Sequence, residues 1–264
     1  MASPLLADTV TRLGPEAVGA VLVTGSHGGV YAAYLAARAG LRAVIFNDAG
    51  IGLEEAGVAG LAWLAERGIA AAAVDHASAR IGEAADMLHR GRISRANAQA
   101  RACGVASGQD CAEAAALLEA AEAVTLEVAP MREARQVVGG RHCRLVLIDS
   151  AALVQPEDAG QVVITGSHGA LFGGDPANAL KADAQLAVFN DAGLGPDEVG
   201  ASRLPALQGR GIAAVTVAAA SARIGDARSA LDNGIISRTN PLADALGARE
   251  GMALRELVND LTGL

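Results

Sequence analysis

Thr24-Gly25-Ser26-His27-Gly28 returns as Thr165-Gly166-Ser167-His168-Gly169, and Phe46-Asn47-Asp48-Ala49-Gly50 returns as Phe189-Asn190-Asp191-Ala192-Gly193. Two further motifs follow in the same order. Ser78-Ala79-Arg80-Ile81-Gly82 matches Ser221-Ala222-Arg223-Ile224-Gly225, and Ile93-Ser94-Arg95 matches Ile236-Ser237-Arg238. A repeat on this scale decides the architecture before any single residue does. The copies keep polar residues and glycines while the intervening apolar segments differ, because a core tolerates exchanges of similar volume.

Working outward, the repeat starts at Asp8-Thr9 and Asp149-Ser150, each ahead of a Pro-Glu pair. The copies are offset by 141 residues at the first motif and 143 at the second. The second copy therefore carries two extra residues, placed within Leu171 to Pro176, where Gly173, Gly174 and Pro176 interrupt a helix start. Apolar runs at Ala20–Val23 and Val162–Ile164 read as buried strands. Val30–Ala39 follows as a helix, and Ala43–Phe46 and Leu186–Phe189 as second strands. Leu53–Arg67 and Glu198–Arg210 have helical spacing and stop at Gly68 and Gly211, a favoured place for glycine. Third strands are expected at Ile69–Val74 and Ile212–Val217. Ala123–Val128 and Leu145–Ile148 read as strands in the connecting stretch.

Strands alternating with helices predict a parallel sheet covered on both faces. The expected fold is an internally duplicated α/β protein with three-layer, Rossmann-like halves related by a pseudo-twofold axis. Its divisions are a first repeat over 8–118, a connecting segment over 119–148 and a second repeat over 149–264.

Composition bounds the function. Hydrophobic residues are 52% of the 264-residue chain but aromatics only 2%, so small side chains must fill the core. The net charge of −8 with no basic cluster argues against nucleic acid. No apolar run is long enough for a membrane span, and the first residues lack a signal-peptide pattern. Cys103, Cys111 and Cys143 lack paired spacing and fit reduced, cytoplasmic thiols. The single lysine, Lys181, is opposite Arg38 and is a poor Schiff-base candidate. Small side chains and modest charge are compatible with homo-oligomers.

Ligands of open parallel sheets bind beyond the carboxyl ends of the strands. Three loops per copy end there. The first copy offers Gly25, Ser26, His27 and Gly28, then Asn47 and Asp48, then Ser78 and Arg80. The second offers Ser167 and His168, then Asn190 and Asp191, then Ser221 and Arg223. The glycines would let a helix start present its N–H groups to an anion or oxyanion, and arginine would add a cationic fork. Each motif also has a structural reading. Ser26 caps a helix, the histidines bond loop carbonyls, Asn-Asp-x-Gly makes a turn, and the arginines pair with Glu83 or Asp226. Ser94-Arg95 with Asn97, and Ser237-Arg238 with Asn240, read as a helix cap with a surface arginine.

The copies differ at one place where chemistry depends on residue type. Asp75-His76 stands where the second copy has Ala218-Ala219. Such a pair supplies a general base and a group that orients it. The expected catalytic set is thus Ser26, His27, Asp48, His76 and Ser78, with the remaining rim residues contacting substrate. His27, Asp48, His76, His168 and Asp191 could instead ligate a metal, but no HExxH or His-x-His spacing supports one, so neither metal nor cofactor is expected. The leading functional expectation is a hydrolase opening an amide, cyclic imide or ester of a small polar or anionic molecule. A racemase, isomerase or lyase acting on a small carboxylate, and a non-catalytic anion binder, are the alternatives.

Overall fold

The computed structural model describes residues 3–171 and 175–264. The chain forms two compact units. The first comprises 1–51, 55–132 and the segment Gly195–Asp197; the second comprises Gly52–Glu54, 133–194 and 198–264.

The first unit contains β1 (Leu5–Ala7), β2 (Val21–His27), β3 (Ala43–Asn47), β4 (Ala70–Val74) and β5 (Ile93–Ala96) in consecutive spatial order. β1 to β4 are parallel and β5 is antiparallel. Between neighbours in sequence, crossovers of one hand all fall on one face. Accordingly α1 (Val30–Arg38) and α2 (Ala59–Ala65) cover one side, while α3 (Ala84–Arg90), α4 (Ala98–Ala102) and α5 (Cys111–Leu118) cover the other. Side-chain alternation along the strands builds both cores. Leu22, Val44 and Phe46 join α1 and α2, whereas Val21, Val23, Ile45 and Val74 join α3 and α5.

The second unit adds β6 (Arg135–Val138) outside β7 (Leu145–Ile148), β8 (Val162–His168), β9 (Leu186–Asn190), β10 (Ala213–Val217) and β11 (Ile236–Thr239). β7 to β10 are parallel, and both edge strands are antiparallel. One face is covered by α6 (Arg203–Gly209). The other is covered by α7 (Ala227–Asn233), α8 (Pro241–Ala245) and α9 (Leu254–Thr262). Both units are thus α/β layers on a parallel-dominated sheet.

Several local expectations change. The Thr-Gly-Ser-His motif lies within the last residues of β2 and β8, not in a turn beyond them. Each strand shifts register before its histidine, which lies opposite Asn47 or Asn190. Ala123–Val128 has the alternation of a strand, since Val124, Leu126 and Val128 pack on the core, but no ladder is assigned to it. Leu53–Arg67 is helical only over α2, because Glu54 and Glu55 adopt positive φ. Gly68 and Gly211 do end their segments in the left-handed conformation. Ser94 and Arg95 sit on β5, while Asn97 caps α4.

The helix α1 has no counterpart of its kind among the described residues of the second unit, where Pro176–Asn178 forms a single 3-10 turn. Gly173 and Gly174 lie outside the described residues. At the matching position on the next helix, Gly60 faces the methyl group of Ala33, and a Cβ there would come within 2.6 Å of it. The second unit has Arg203 instead, buried, donating to the carbonyls of Ala170 and Ala179 at 3.0 and 2.8 Å. No helix among the described residues is long and apolar enough to cross a membrane.

Candidate functional site

The duplicated serines are occupied by the backbone. Ser26 Oγ accepts from Val10 N at 3.0 Å, and Ser167 Oγ accepts from Ala151 N at 2.9 Å. Both pin the segment that follows the preceding strand. Ser78 Oγ donates to the Asp75 carbonyl at 2.7 Å and accepts from Arg92 N at 2.9 Å. Ser221 repeats this with Ala218 and Ile235 at 2.8 and 2.9 Å. A hydroxyl whose proton is given to a carbonyl is poorly placed as a nucleophile. Ser78 thus ties its turn to the backbone at both ends.

The motif histidines are acceptors too. His27 Nδ1 takes the N–H of Gly29 at 3.1 Å, and His168 Nδ1 takes that of Ala170 at 3.3 Å. Burial pushes the His27 pKa down to about 4, so at neutral pH its proton resides on Nε2. Gly25 and Gly166 serve close packing. A Cβ on Gly25 would lie 2.6 Å from Gly82 C, and one on Gly166 2.5 Å from Asp226 N. Gly82 and Gly225 donate to their carbonyls at 2.9 and 2.7 Å. Gly28 faces the carbonyl oxygen of Gly57, 2.9 Å from where its Cβ would be.

The arginines expected to hold an anion are engaged with carboxylates. Within the first unit Arg80 pairs with Asp86 at 3.2 Å and with Asp197. Within the second, Arg223 pairs with Asp226 and with Glu54, each at 2.9 Å. Asp86, not the anticipated Glu83, is the partner of Arg80. Asn47 Oδ1 and Asn190 Oδ1 accept from Ala49 N and Ala192 N, each at 2.9 Å. Asn190 Nδ2 also reaches the Ala222 carbonyl at 3.1 Å, whereas the buried Nδ2 of Asn47 has no partner among the described residues.

One pair of candidate residues is brought together. Asp48 leaves the end of β3 and His76 follows β4, adjacent parallel strands, so their side chains meet at the carboxyl rim. His76 Nδ1 is 3.0 Å from Asp48 Oδ1, and the His76 main-chain N–H reaches the same oxygen at 3.0 Å. Gly50 N donates to it as well, at 3.0 Å. Burial is the largest influence on the Asp48 carboxyl and opposes its charge. The side-chain and main-chain hydrogen bonds of His76, with one from Ser94, outweigh it and leave the pKa below the ordinary value. Asp48 is fully enclosed while the His76 side chain stays 29% exposed.

Asp75, the neighbour in sequence, is the more distant carboxylate at 3.3 Å, so the orienting group comes from the adjacent strand. Asp75 also caps its own turn through Ala77 N at 2.9 Å. In the second unit Asp191 keeps the turn, accepting from Gly193 N and Ala219 N at 2.9 and 2.8 Å, but an alanine stands in place of the imidazole.

No protein-family model, curated protein or solved structure matches the chain.

Asp48, Asp75 and His76 each offer one ligand atom within 4.8 Å of the others, the one such group among the described residues. Asp48 Oδ1 accepts three N–H bonds, one of them from the His76 ring. Ser94 was legible only as part of a helix cap; it lies on β5 at the register shift against β4, where its hydroxyl is 3.3 Å from the Ala73 carbonyl and contributes a hydrogen bond to Asp48.

Proposed function

We propose that the first unit is an acid–base catalytic unit in which His76, oriented by Asp48, hydrolyses an amide, cyclic imide or ester of a small polar molecule. The Asp48–His76 hydrogen bond at the strand-end rim carries this reading. With its proton on Nδ1 held by an ionised carboxylate, the neutral ring has its lone pair on Nε2. That nitrogen takes a proton from water as the water oxygen bonds to the substrate carbonyl. The resulting imidazolium, stabilised by Asp48, returns the proton to the departing nitrogen or oxygen. No cofactor enters this scheme. Water replaces serine as the nucleophile because Ser78 is committed to the backbone on both sides.

The test is a panel of small esters, amides and cyclic imides incubated in ¹⁸O-labelled water, with products read by mass spectrometry. Single label incorporation that disappears in His76→Gln and persists in Ser78→Ala is the expected result. Covalent trapping of a serine by a fluorophosphonate, or full turnover by His76→Gln, rules the scheme out.

A further inference from the structure

Residues Ala49, Gly50, Ile51 and Gly52 all have positive φ, from 50° to 73°, and Ala192 to Gly195 repeat the run from 50° to 77°. Left-handed backbone is ordinarily confined to single residues, since each L side chain in it is strained. Here a whole left-handed turn follows directly on Asp48. It is closed by Ile51 N donating to the Asp48 carbonyl at 2.8 Å, then by Gly57 N donating to Ile51 O at 2.9 Å. The last contact leaves no space. A Cβ on Gly57 would stand 2.2 Å from the Asp48 carbonyl oxygen and 3.0 Å from that of Ile51.

We infer that Gly57 is a positioning residue for the Asp48–His76 pair, an assignment that rests on the acid–base reading of that pair. Gly57 touches neither imidazole nor carboxylate. It seats the main chain of Asp48 so that Oδ1 can collect Gly50 N, His76 N and His76 Nδ1 together. Gly200 occupies the same place in the second unit, where a Cβ would meet the Asp191 carbonyl oxygen at 1.9 Å. That unit has Ala219 instead of the histidine, so the molecule contains its own control for a merely structural effect.

The experiment compares Gly57→Ala with Gly200→Ala in the full chain. It reads thermal stability, turnover and the NMR signal of the His76 Nδ1 proton, assigned by its loss in His76→Gln. Both variants are expected to melt earlier. Relieving the clash moves Asp48 by about 1 Å, a misplacement that costs on the order of 100-fold in a catalytic geometry. Gly57→Ala alone should therefore shift or broaden the His76 signal and lower kcat at least tenfold. Gly200→Ala should leave both unchanged. An unmoved signal in Gly57→Ala, or an equal shift in Gly200→Ala, overturns the assignment. If Gly57→Ala does not fold, Gly28→Ala presses on the Gly57 carbonyl from the other side and is read in the same way, an unmoved signal again overturning it. If the signal moves while His76→Gln retains turnover, the catalytic reading fails and the positioning role stands.

Discussion

His27 Nδ1 accepts the Gly29 N–H across 3.1 Å, which ties the chain just ahead of α1 to a ring nitrogen. Protonation of that nitrogen abolishes the acceptor. The folded pKa, about 4, lies below the free value of 6.5, so the unfolded chain binds more protons between those limits. Stability therefore falls as pH drops from 6.5 towards 4, by up to about 3 kcal/mol for a shift of this size. His27→Asn keeps a side-chain acceptor without the titration. Relative to wild type, its melting temperature should gain less, or fall, as pH rises across that window, and an unchanged pH slope would refute the assignment.

Glu133 works in the opposite direction. Burial first, and then the negative charge of Asp149, raise its pKa from 4.5 to about 7. The folded state holds this proton more tightly than the unfolded one, so the contribution is complete below pH 4.5 and is lost as pH rises to 7. The windows of Glu133 and His27 overlap with opposite slopes, and the wild-type profile conceals both. Glu133→Gln should make stability rise more steeply with pH between 4.5 and 6.5 than it does in wild type. Denaturant melts at several pH values read this directly.

Asp48 and Asp75 flank the same imidazole nitrogen, yet their substitution should have unequal effects. Asp48 is buried, nearer and held by two main-chain N–H groups, whereas Asp75 is half-exposed. A solvated charge is weakened by water and salt. Asp48→Asn is expected to lower kcat by roughly 100-fold or more, in the range of a lost orienting group. Asp75→Asn preserves the cap on Ala77 N and should lower it less than about tenfold. Equal losses would mean that the imidazole turns towards both carboxylates alike.

The layered fold was legible because each strand carries two readable signals. Val21, Leu22 and Val23 are uninterrupted apolar residues, as in a strand buried on both sides, and turn residues bound the run. The short edge strands β1 and β5 were not, since three or four residues such as Leu5–Ala7 or Ile93–Ala96 have no period to detect. Several repeated polar residues hold the backbone. Ser78 and Ser221 recur because both tie the same turn to the backbone, and Gly25 and Gly166 because both admit a close main-chain neighbour. The difference between copies, Asp75-His76 against Ala218-Ala219, was legible in the sequence, and the contact of His76 with Asp48 needed the strand order to become visible.

The left-handed turns give a stability prediction free of any catalytic assumption. Glu55 has φ of 56° and is exposed, and its carboxylate makes no hydrogen bond or ion pair among the described residues. An L side chain in that conformation costs about 1–2 kcal/mol, which glycine avoids, though glycine returns roughly half a kcal/mol or more through its freer unfolded chain. Glu55→Gly should therefore stabilise the protein by about 1 kcal/mol. Its counterpart Glu198 has φ of 53° but bonds Arg238 through both carboxylate oxygens, at 3.1 and 2.7 Å. Glu198→Gly gives up that pair as it relieves the strain, so its gain should be smaller than that of Glu55→Gly. Chemical denaturation of the two variants beside wild type measures the ranking, and a reversed order would show that strain at Glu55 is already relieved by the backbone around it.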